Sequence, residues 1–350
     1  MRRLPIYFLI DISESMVGEP IQQVEEGLAA IIKALKTDPY AIETVWVSII
    51  VFAGQSKTIV PLQEIISFYP PKFPIGSGTS LSKGLGHLMY ELRKNTVKTT
   101  LDQKGDWKPI VFLFTDGVPT DDAQAAINEW RQNWQRSSNM IAISFGNEAD
   151  TKVLSQLTEN VLLFKNTNAD AYKQFFKWVT DSIKTSSISV ENNSTGFGLA
   201  EIDGDTLSKI DLSKSPQPNQ FVDSNYVVLS AKCQNTKRPY LMKYRKTVRP
   251  ATVAGLGLDT LAYRLIGAYQ VDNIYYELSD STAGTFRINS DELMGSPTCP
   301  CCGNQIGFAM CHCGGIHCIG DEQLNTCPWC ESQGTYGYGE SGFEVNRTQG

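Results

Sequence analysis

The sequence has no long hydrophobic run and no excess of positive charge, and a single cysteine precedes residue 299. No stretch of about 18 consecutive apolar residues occurs, so no membrane-spanning helix is predicted. The net charge of -6 argues against a main domain that binds nucleic acid. A phosphate-binding loop of the form GxxxxGKS or GxxxxGKT is absent, and so is a second carboxylate cluster for a two-metal site. These absences argue against nucleotide hydrolysis and metal-assisted phosphoryl transfer.

The first residues resemble a signal peptide only superficially. Two arginines precede a short apolar run, but this run leads directly to Asp11, and no small-residue cleavage site follows. We therefore expect the first strand of a folded domain here and a cytoplasmic location. The composition, with 41% hydrophobic and 19% charged residues, is that of an ordinary globular protein.

Apolar runs alternate with amphipathic segments through the first half of the chain. Runs rich in β-branched and aromatic residues predict buried strands at 6–10, 44–52, 110–114 and 140–145, with helical patterns between them. Such alternation is typical of an α/β fold, a doubly wound and mostly parallel sheet with helices on both faces. Residues 58–65 predict an antiparallel edge strand.

Polar residues whose side chains offer oxygen ligands occur at three places where a predicted strand or loop ends. Asp11, Ser13 and Ser15 lie between the first strand and the first helix, Thr79 lies in a glycine-containing loop before a helix, and Asp116 follows the strand at 110–114. Each alone is typical of a helix cap. Because the carboxyl ends of parallel strands share one edge of a sheet, we expect these residues to converge. Such oxygens suit Mg²⁺ or Mn²⁺, with one position open for a partner's Asp or Glu.

The motifs DISES, GSGTS and FTDG, in that order on an α/β pattern, resemble the von Willebrand factor A domain with its metal-ion-dependent adhesion site. The resemblance covers residues 1–185 and implies a Rossmann-like fold. It also implies binding of partner proteins through the metal and no enzymatic activity.

The cysteines are concentrated in one short segment. Eight of the nine lie between Cys299 and Cys330, with His312 and His317 among them. In a chain expected to be cytoplasmic, this pattern favours a metal site over a disulfide framework. The segment is too short to form its own hydrophobic core, so bound zinc would supply the folding energy.

Two CxxC pairs separated by a couple of dozen residues strongly indicate structural zinc. One or two ions are possible, and we favour two. His312 is an alternative ligand, and Cys301 is left over. The expected ligands are Cys299, Cys302, Cys311, Cys313, His317, Cys318, Cys327 and Cys330.

The region between the α/β pattern and the cysteines predicts a small β-rich domain. Strand patterns occur at 225–233, 240–247, 261–271, 274–279 and 285–288. The following Gly-, Ser- and Tyr-containing tail favours disorder. The expected organisation is an α/β domain at 1–185, a linker at 186–197, a β-rich domain at 198–296, a zinc module at 297–331 and a disordered tail at 332–350.

The α/β domain, the β-rich region and a cysteine cluster that ends in TCPWC together resemble the TerY family of bacterial tellurite-resistance-associated proteins. This resemblance implies a non-enzymatic adaptor that works with a serine/threonine protein kinase and a metal-dependent protein phosphatase in a stress response. Two alternatives remain open at this point. One is a subunit of an ATP-driven chelatase or remodelling machine, and the other is a stress protein that binds nucleic acid through its zinc module.

Overall fold

The structure is a computed structural model that describes most of the chain. The described residues are 2–102, 104–116, 118–145, 151–164, 169–191, 200, 207–209, 225–253, 256–280, 286–337 and 342–348. The chain forms two compact units. The first unit contains residues 1–12, 19–73 and 79–219, and the second unit contains residues 13–18, 74–78 and 220–350.

A seven-stranded sheet forms the centre of the first unit, in the order β3-β2-β1-β4-β5-β6-β7. Pairing is antiparallel only between β2 and β3 and between β6 and β7, and the other neighbours are parallel. This arrangement confirms the predicted α/β class, including the antiparallel edge strand. The strands are β1 (Leu4–Asp11), β2 (Val45–Phe52), β3 (Ser56–Glu64), β4 (Ile110–Thr115), β5 (Asn139–Phe145), β6 (Val161–Phe164) and β7 (Leu207–Lys209).

Six helices belong to the described part of the first unit. They are α1 (Glu19–Leu35), α2 (Pro39–Thr44), α3 (Leu81–Asn95), α4 (Gln124–Asn133), α5 (Thr151–Leu157) and α6 (Ala169–Glu191). Helix α2 was not predicted, although Asp38 and Pro39 mark its start: the Asp38 carboxylate accepts a hydrogen bond from the backbone N–H of Ala41 at 3.0 Å. No helix in the described ranges is long and apolar enough to cross a membrane.

Central strands β1 and β4 are buried along their whole length. Continuous apolar runs of this kind are expected where helices cover both faces of a parallel sheet. The apolar character ends where each strand ends: Asp11 is the last residue of β1, Thr115 is the last residue of β4, and Asp116 follows it. The sheet therefore places these polar residues at its carboxyl edge.

The second unit is built on a six-stranded sheet in the order β12-β10-β9-β8-β14-β13. Two smaller sheets pair β11 with β17 and β15 with β16. The strands are β8 (Tyr226–Lys232), β9 (Pro239–Val253), β10 (Leu256–Gln270), β11 (Phe286–Asn289), β12 (Leu293–Met294), β13 (Ile306–Met310), β14 (Ile316–Ile319), β15 (Asn325–Thr326), β16 (Gln333–Gly334) and β17 (Glu344–Arg347).

The predicted division between a β-rich domain at 198–296 and a zinc module at 297–331 differs from the structure. Strand β14 of the cysteine-rich segment pairs in parallel with β8, with Ile316 opposite Ala231 and His317 opposite Lys232. The two regions therefore share one sheet. A short segment that cannot bury a core alone gains one by extending the neighbouring sheet.

The strand predicted at 274–279 is a helix instead, α7 (Ile274–Leu278). Tyr275 and Leu278 are its buried residues. Their spacing of three residues places them on one helical face, and the run of apolar and aromatic residues there was too short to distinguish a helix from a strand.

The structure also differs from two further predictions, the end of the α/β domain at residue 185 and the disorder of the tail. Helix α6 continues to Glu191, beyond the expected boundary at 185 and into the expected linker 186–197, of which 192–197 lie outside the described residues. The tail, predicted to be disordered, contains β17, whose Val345 is fully buried and pairs with Ile288 of β11. The tail strand forms because β11 offers it an edge, which the tail's own composition does not reveal.

Candidate metal sites

Asp11 is the last residue of β1 and is fully buried. Its Oδ2 accepts a hydrogen bond of 2.7 Å from the Thr115 hydroxyl, at the end of the neighbouring strand β4. The donor fixes the orientation of the carboxylate. Asp116 follows Thr115 directly and is half-buried. The structure therefore places both predicted carboxylates at the ends of adjacent strands.

Thr79 is held in the loop before α3 by a reciprocal pair of hydrogen bonds with Thr120. The Thr79 backbone N–H donates to Thr120 Oγ1 at 2.9 Å, and the Thr120 backbone N–H donates to the Thr79 carbonyl at 2.9 Å. Thr79 itself is buried. Thr120 therefore supports a predicted ligand without belonging to the motif.

Asp121 caps the start of α3. Its carboxylate accepts hydrogen bonds from the backbone N–H groups of Leu81 at 3.1 Å and Ser82 at 3.2 Å, and from the Ser80 hydroxyl at 2.6 Å. A negative side chain at this position also interacts favourably with the helix dipole. Thr120 and Asp121 lie outside the motifs from which the site was predicted. The sequence feature that could have indicated them is that they form a Thr-Asp pair shortly after β4, at the edge of the sheet where Asp116 lies.

Ser13 and Ser15 lie in the second unit, around a single 3₁₀ turn at Glu14–Met16. Both are buried, and their Oγ atoms are 3.0 Å apart. Two adjacent ligands of an octahedral Mg²⁺, each about 2.1 Å from the ion, are about 3.0 Å apart. The serine pair therefore fits two neighbouring positions around a small, hard cation.

Glu14, between the two serines, is completely buried. Its carboxylate accepts hydrogen bonds from the Tyr275 hydroxyl at 2.7 Å and from the backbone N–H of Gly78 at 3.2 Å. Burial raises the pKa of Glu14 to about 7, against the opposing effect of these hydrogen bonds. Burial also raises the pKa of Tyr275 well above its ordinary value, so its hydroxyl is a donor. Sequence reasoning gave no role to either residue.

One candidate zinc site, the first cluster, is formed by Cys233, Cys299, Cys302 and Cys318, whose sulfurs all lie within 4.8 Å of one another. The Cys302 and Cys318 sulfurs are 3.7 Å apart, and those of Cys318 and Cys233 are 3.9 Å apart. Four thiolates arranged tetrahedrally at about 2.3 Å from Zn²⁺ lie about 3.8 Å from each other. Gly303, with φ of 80°, provides the turn after the Cys299–Cys302 pair.

The second cluster is formed by Cys311, Cys313, Cys327 and Cys330, again within 4.8 Å of one another. The Cys311 and Cys330 sulfurs are 3.7 Å apart, and those of Cys313 and Cys327 are 3.8 Å apart. These distances also match a tetrahedral zinc site. The two CxxC pairs contribute to different clusters.

Seven of the eight zinc ligands predicted from the sequence belong to the two clusters. The eighth predicted ligand, His317, does not, and Cys233 belongs to the first cluster instead. His317 lies outside both: its Nδ1 is 2.9 Å from the Cys318 carbonyl, and its Nε2 is 2.8 Å from the Tyr336 hydroxyl. Cys233, which the sequence analysis did not assign, takes the remaining place because β8 and β14 are neighbours. Cys301 belongs to neither cluster. His312 also lies outside them, with Nδ1 3.4 Å from the Cys311 sulfur.

The first unit thus carries the motif carboxylate Asp11 at the end of its first strand, and the second unit carries the two motif serines and two cysteine clusters that could each hold a metal ion. Two family models match the chain. The model of the von Willebrand factor type A domain matches residues 6–178, and the model of the TerY-C metal binding domain matches residues 223–350.

Solved structures with similarity to the chain are distant. Proximal thread matrix protein 1 from the mussel byssus is 20% identical over 51% of this chain and 48% of its own, with a TM-score of 0.38. Another structure of that mussel protein, described as having a zinc-occupied MIDAS motif, is 16% identical over 53% of this chain and 46% of its own, with a TM-score of 0.37. A von Willebrand factor type A protein from Catenulispora acidiphila is 12% identical over 77% of this chain and 57% of its own, with a TM-score of 0.39.

The chain thus spans about half the length of the mussel protein. At these TM-scores and identities, the solved structures carry no argument about function. No curated protein matches the chain.

Proposed function

We propose that the chain is a non-enzymatic adaptor that captures a protein partner through a divalent metal ion. In this proposal Mg²⁺ or Mn²⁺ is bound by Asp11, Ser13, Ser15, Thr79 and Asp116. The observation that carries it is the 3.0 Å spacing of the two buried serine hydroxyls within the adhesion-site motif. The oriented carboxylate of Asp11 supports it.

The chemistry of the donors favours magnesium over zinc at this site. All five side chains offer oxygen, and Mg²⁺ prefers oxygen ligands in near-octahedral geometry. Hydroxyl ligands carry no negative charge, so they leave much of the ion's charge unneutralised. An Asp or Glu from the partner would therefore bind strongly to a remaining position.

The cysteine clusters have a structural role in this proposal. Each offers four thiolates, which fill all positions around a tetrahedral Zn²⁺ and leave none for a substrate or an activated water. Two bound zinc ions would stabilise the second unit by fixing its loops.

The TerY resemblance supplies the finer part of the proposal. We place the adaptor in the cytoplasm of a bacterium, in a stress or tellurite-resistance system in which its partners are a serine/threonine protein kinase and a metal-dependent protein phosphatase. Nothing in the site calls for a membrane or a nucleic acid as a partner.

Affinity capture from native cells tests the adaptor function. The wild-type chain is compared with Asp11→Ala and Thr79→Ala in the presence of Mg²⁺, with captured proteins identified by mass. We expect both variants to lose the partners that the wild type retains. Asp102→Ala, a change at an exposed loop carboxylate, is the matched control and should retain them.

Point variants are a cleaner test than EDTA, which would also remove zinc. Equal capture by the wild type and both site variants, with zinc content unchanged, would contradict the proposal. An ATPase of the AAA type among the captured proteins would instead favour a subunit of a remodelling machine.

A further inference from the structure

The segment 13–18 carries both serines of the magnesium site and belongs to the same compact unit as residues 220–350. It links β1 to α1 and contains a single 3₁₀ turn, Glu14–Met16. Because the hydrogen-bond geometry of a 3₁₀ turn is poorer than that of an α-helix, contacts from outside the segment help to hold its side chains in one arrangement. The second unit provides such contacts at several points.

Tyr275 is the first of these contacts. It lies on α7 and is only 4% exposed, and its hydroxyl donates to Glu14 Oε1 at 2.7 Å. The other carboxylate oxygen, Oε2, accepts from the backbone N–H of Gly78 at 3.2 Å. Both oxygens of this buried carboxylate are therefore bound, and Glu14 is fixed between Ser13 and Ser15.

Lys243 on β9 is the second contact and is also 4% exposed. Its ammonium donates to the carbonyl of Ser15 and to that of Val17, the latter at 3.3 Å. The ammonium also lies 4.6 Å from the centroid of the Tyr226 ring. A buried, charged donor thus holds the main chain at Ser15 and at Val17.

Gly18 ends the segment in a conformation that few other residues tolerate. Its φ is 90°, and a Cβ at this position would lie 2.7 Å from Cζ of Tyr269. Together with Glu14 and the Lys243 contacts, this close approach fixes the path of the chain through both serines.

We propose that Tyr275 is a positioning residue of the magnesium site, which presents Ser13 and Ser15 to the ion by anchoring Glu14. Lys243 is the second anchor of the same segment. The inference rests on the proposed metal-dependent function. Its physical basis is preorganisation: a segment already held in the binding arrangement loses less conformational entropy when the metal binds.

The test is the Mn²⁺ affinity of the full chain, measured by electron paramagnetic resonance, with competition by Mg²⁺. Tyr275→Phe removes only the hydroxyl, and we expect it to weaken binding about tenfold, since Glu14 then loses one of the two hydrogen bonds that fix it between the serines. Tyr276→Phe is the matched control: Tyr276 is the next residue on α7, is 44% exposed and should be replaceable without effect. Zinc content, measured in the same samples, should equal that of the wild type.

A third variant separates failure of this inference from failure of the proposed function. If Asp11→Ala abolishes Mn²⁺ binding while Tyr275→Phe binds like the wild type, the positioning role is wrong and the metal site stands. If Asp11→Ala binds like the wild type, the metal site itself is wrong.

Amide hydrogen exchange tests the same idea without metal. Tyr275→Phe and Lys243→Met should each speed exchange in the peptide covering 13–18 about tenfold, while Tyr276→Phe should not. Exchange at the wild-type rate in both Tyr275→Phe and Lys243→Met would overturn the inference, whatever the zinc content of these variants.

Discussion

The sulfur atoms of Cys233 and Cys318 lie 3.9 Å apart, although 85 positions separate the two residues in the chain. The parallel pairing of β8 with β14 brings them together, since Cys233 directly follows β8 and Cys318 lies within β14. Cys299 and Cys302 complete the cluster. A zinc ion there would join the end of β8 to two neighbouring parts of the cysteine-rich segment.

Cys233→Ser should therefore lower the zinc content from two ions to one per chain. Loss of one thiolate leaves three ligands, and zinc affinity falls because the site can no longer be closed by protein. The measurement is metal analysis of the purified protein, together with its thermal unfolding midpoint, which should drop. Cys301→Ser is the control, as Cys301 belongs to neither cluster. Equal zinc content in both variants would argue against Cys233 as a ligand.

Thr115→Val should weaken both stability and metal binding. The change keeps the shape of the side chain but removes the hydroxyl that donates to Asp11 at 2.7 Å. We expect a loss of about 1–3 kcal/mol in the free energy of unfolding without divalent metal, the usual cost when a buried polar group loses a hydrogen-bond partner. Urea unfolding measures this loss, and a Mn²⁺ titration measures the affinity. Thr115→Ser keeps a hydroxyl and should behave like the wild type; a similar loss in both variants would point to packing instead.

Gly27→Ala should destabilise the contact between α1 and α6 in the first unit. A Cβ at Gly27 would lie 1.9 Å from Cδ2 of the buried Phe176 ring, so this ring or one of the two helices must shift. Overpacking of this kind costs about 1–3 kcal/mol. Gly86→Ala on α3 is the matched control: nothing lies within 4 Å of its Cβ, and removing a helical glycine there should stabilise by about 0.5–1 kcal/mol. In urea unfolding, Gly27→Ala should lower the free energy of unfolding and Gly86→Ala should raise it. A Gly27→Ala variant as stable as the wild type would show that the close approach of α1 and α6 relaxes without cost.

The stability of the first unit should fall as the pH drops below about 6.5, in part through His87. Burial lowers the pKa of His87 in the folded protein, and its Nε2 lies 2.7 Å from the Thr58 hydroxyl. The unfolded chain therefore binds a proton at His87 more readily than the folded protein does. The free energy of unfolding is unaffected by His87 above about pH 6.5 and falls as the pH drops from there to the pKa of His87 in the folded protein. His87→Gln should flatten this dependence when urea midpoints are followed by circular dichroism between about pH 5 and pH 8. An unchanged slope in the variant would exclude His87 as a source.

The α/β sheet was predictable because its signals are local. Strands such as β1 and β4 are continuous apolar runs, and their order in the chain with intervening helices implies a parallel sheet with one carboxyl edge. Asp11, Thr79 and Asp116 could be named because each stands where an apolar run or a loop meets a helix. Thr115, Thr120 and Asp121 could not, since each is a common residue type whose role depends on a partner about 40 to 100 positions away in the chain.

Local patterns misled where two conformations bury the same residues. Tyr275 and Leu278 are buried on α7, but the short run around them fits a strand equally well. The tail strand β17 depends on β11, which offers it an edge.

The sequence by itself was sufficient to predict the two domain types, the mostly parallel sheet, the adhesion-site motif and a cysteine-rich metal module. Each of these features depends on residue type and on short spacing within one segment. The tertiary structure decided that Cys233 rather than His317 completes a cluster, and that Tyr275 and Lys243 hold the segment carrying Ser13 and Ser15. The physical reason is that these contacts follow from pairing and packing between segments far apart in the chain, which spacing within a single segment cannot encode.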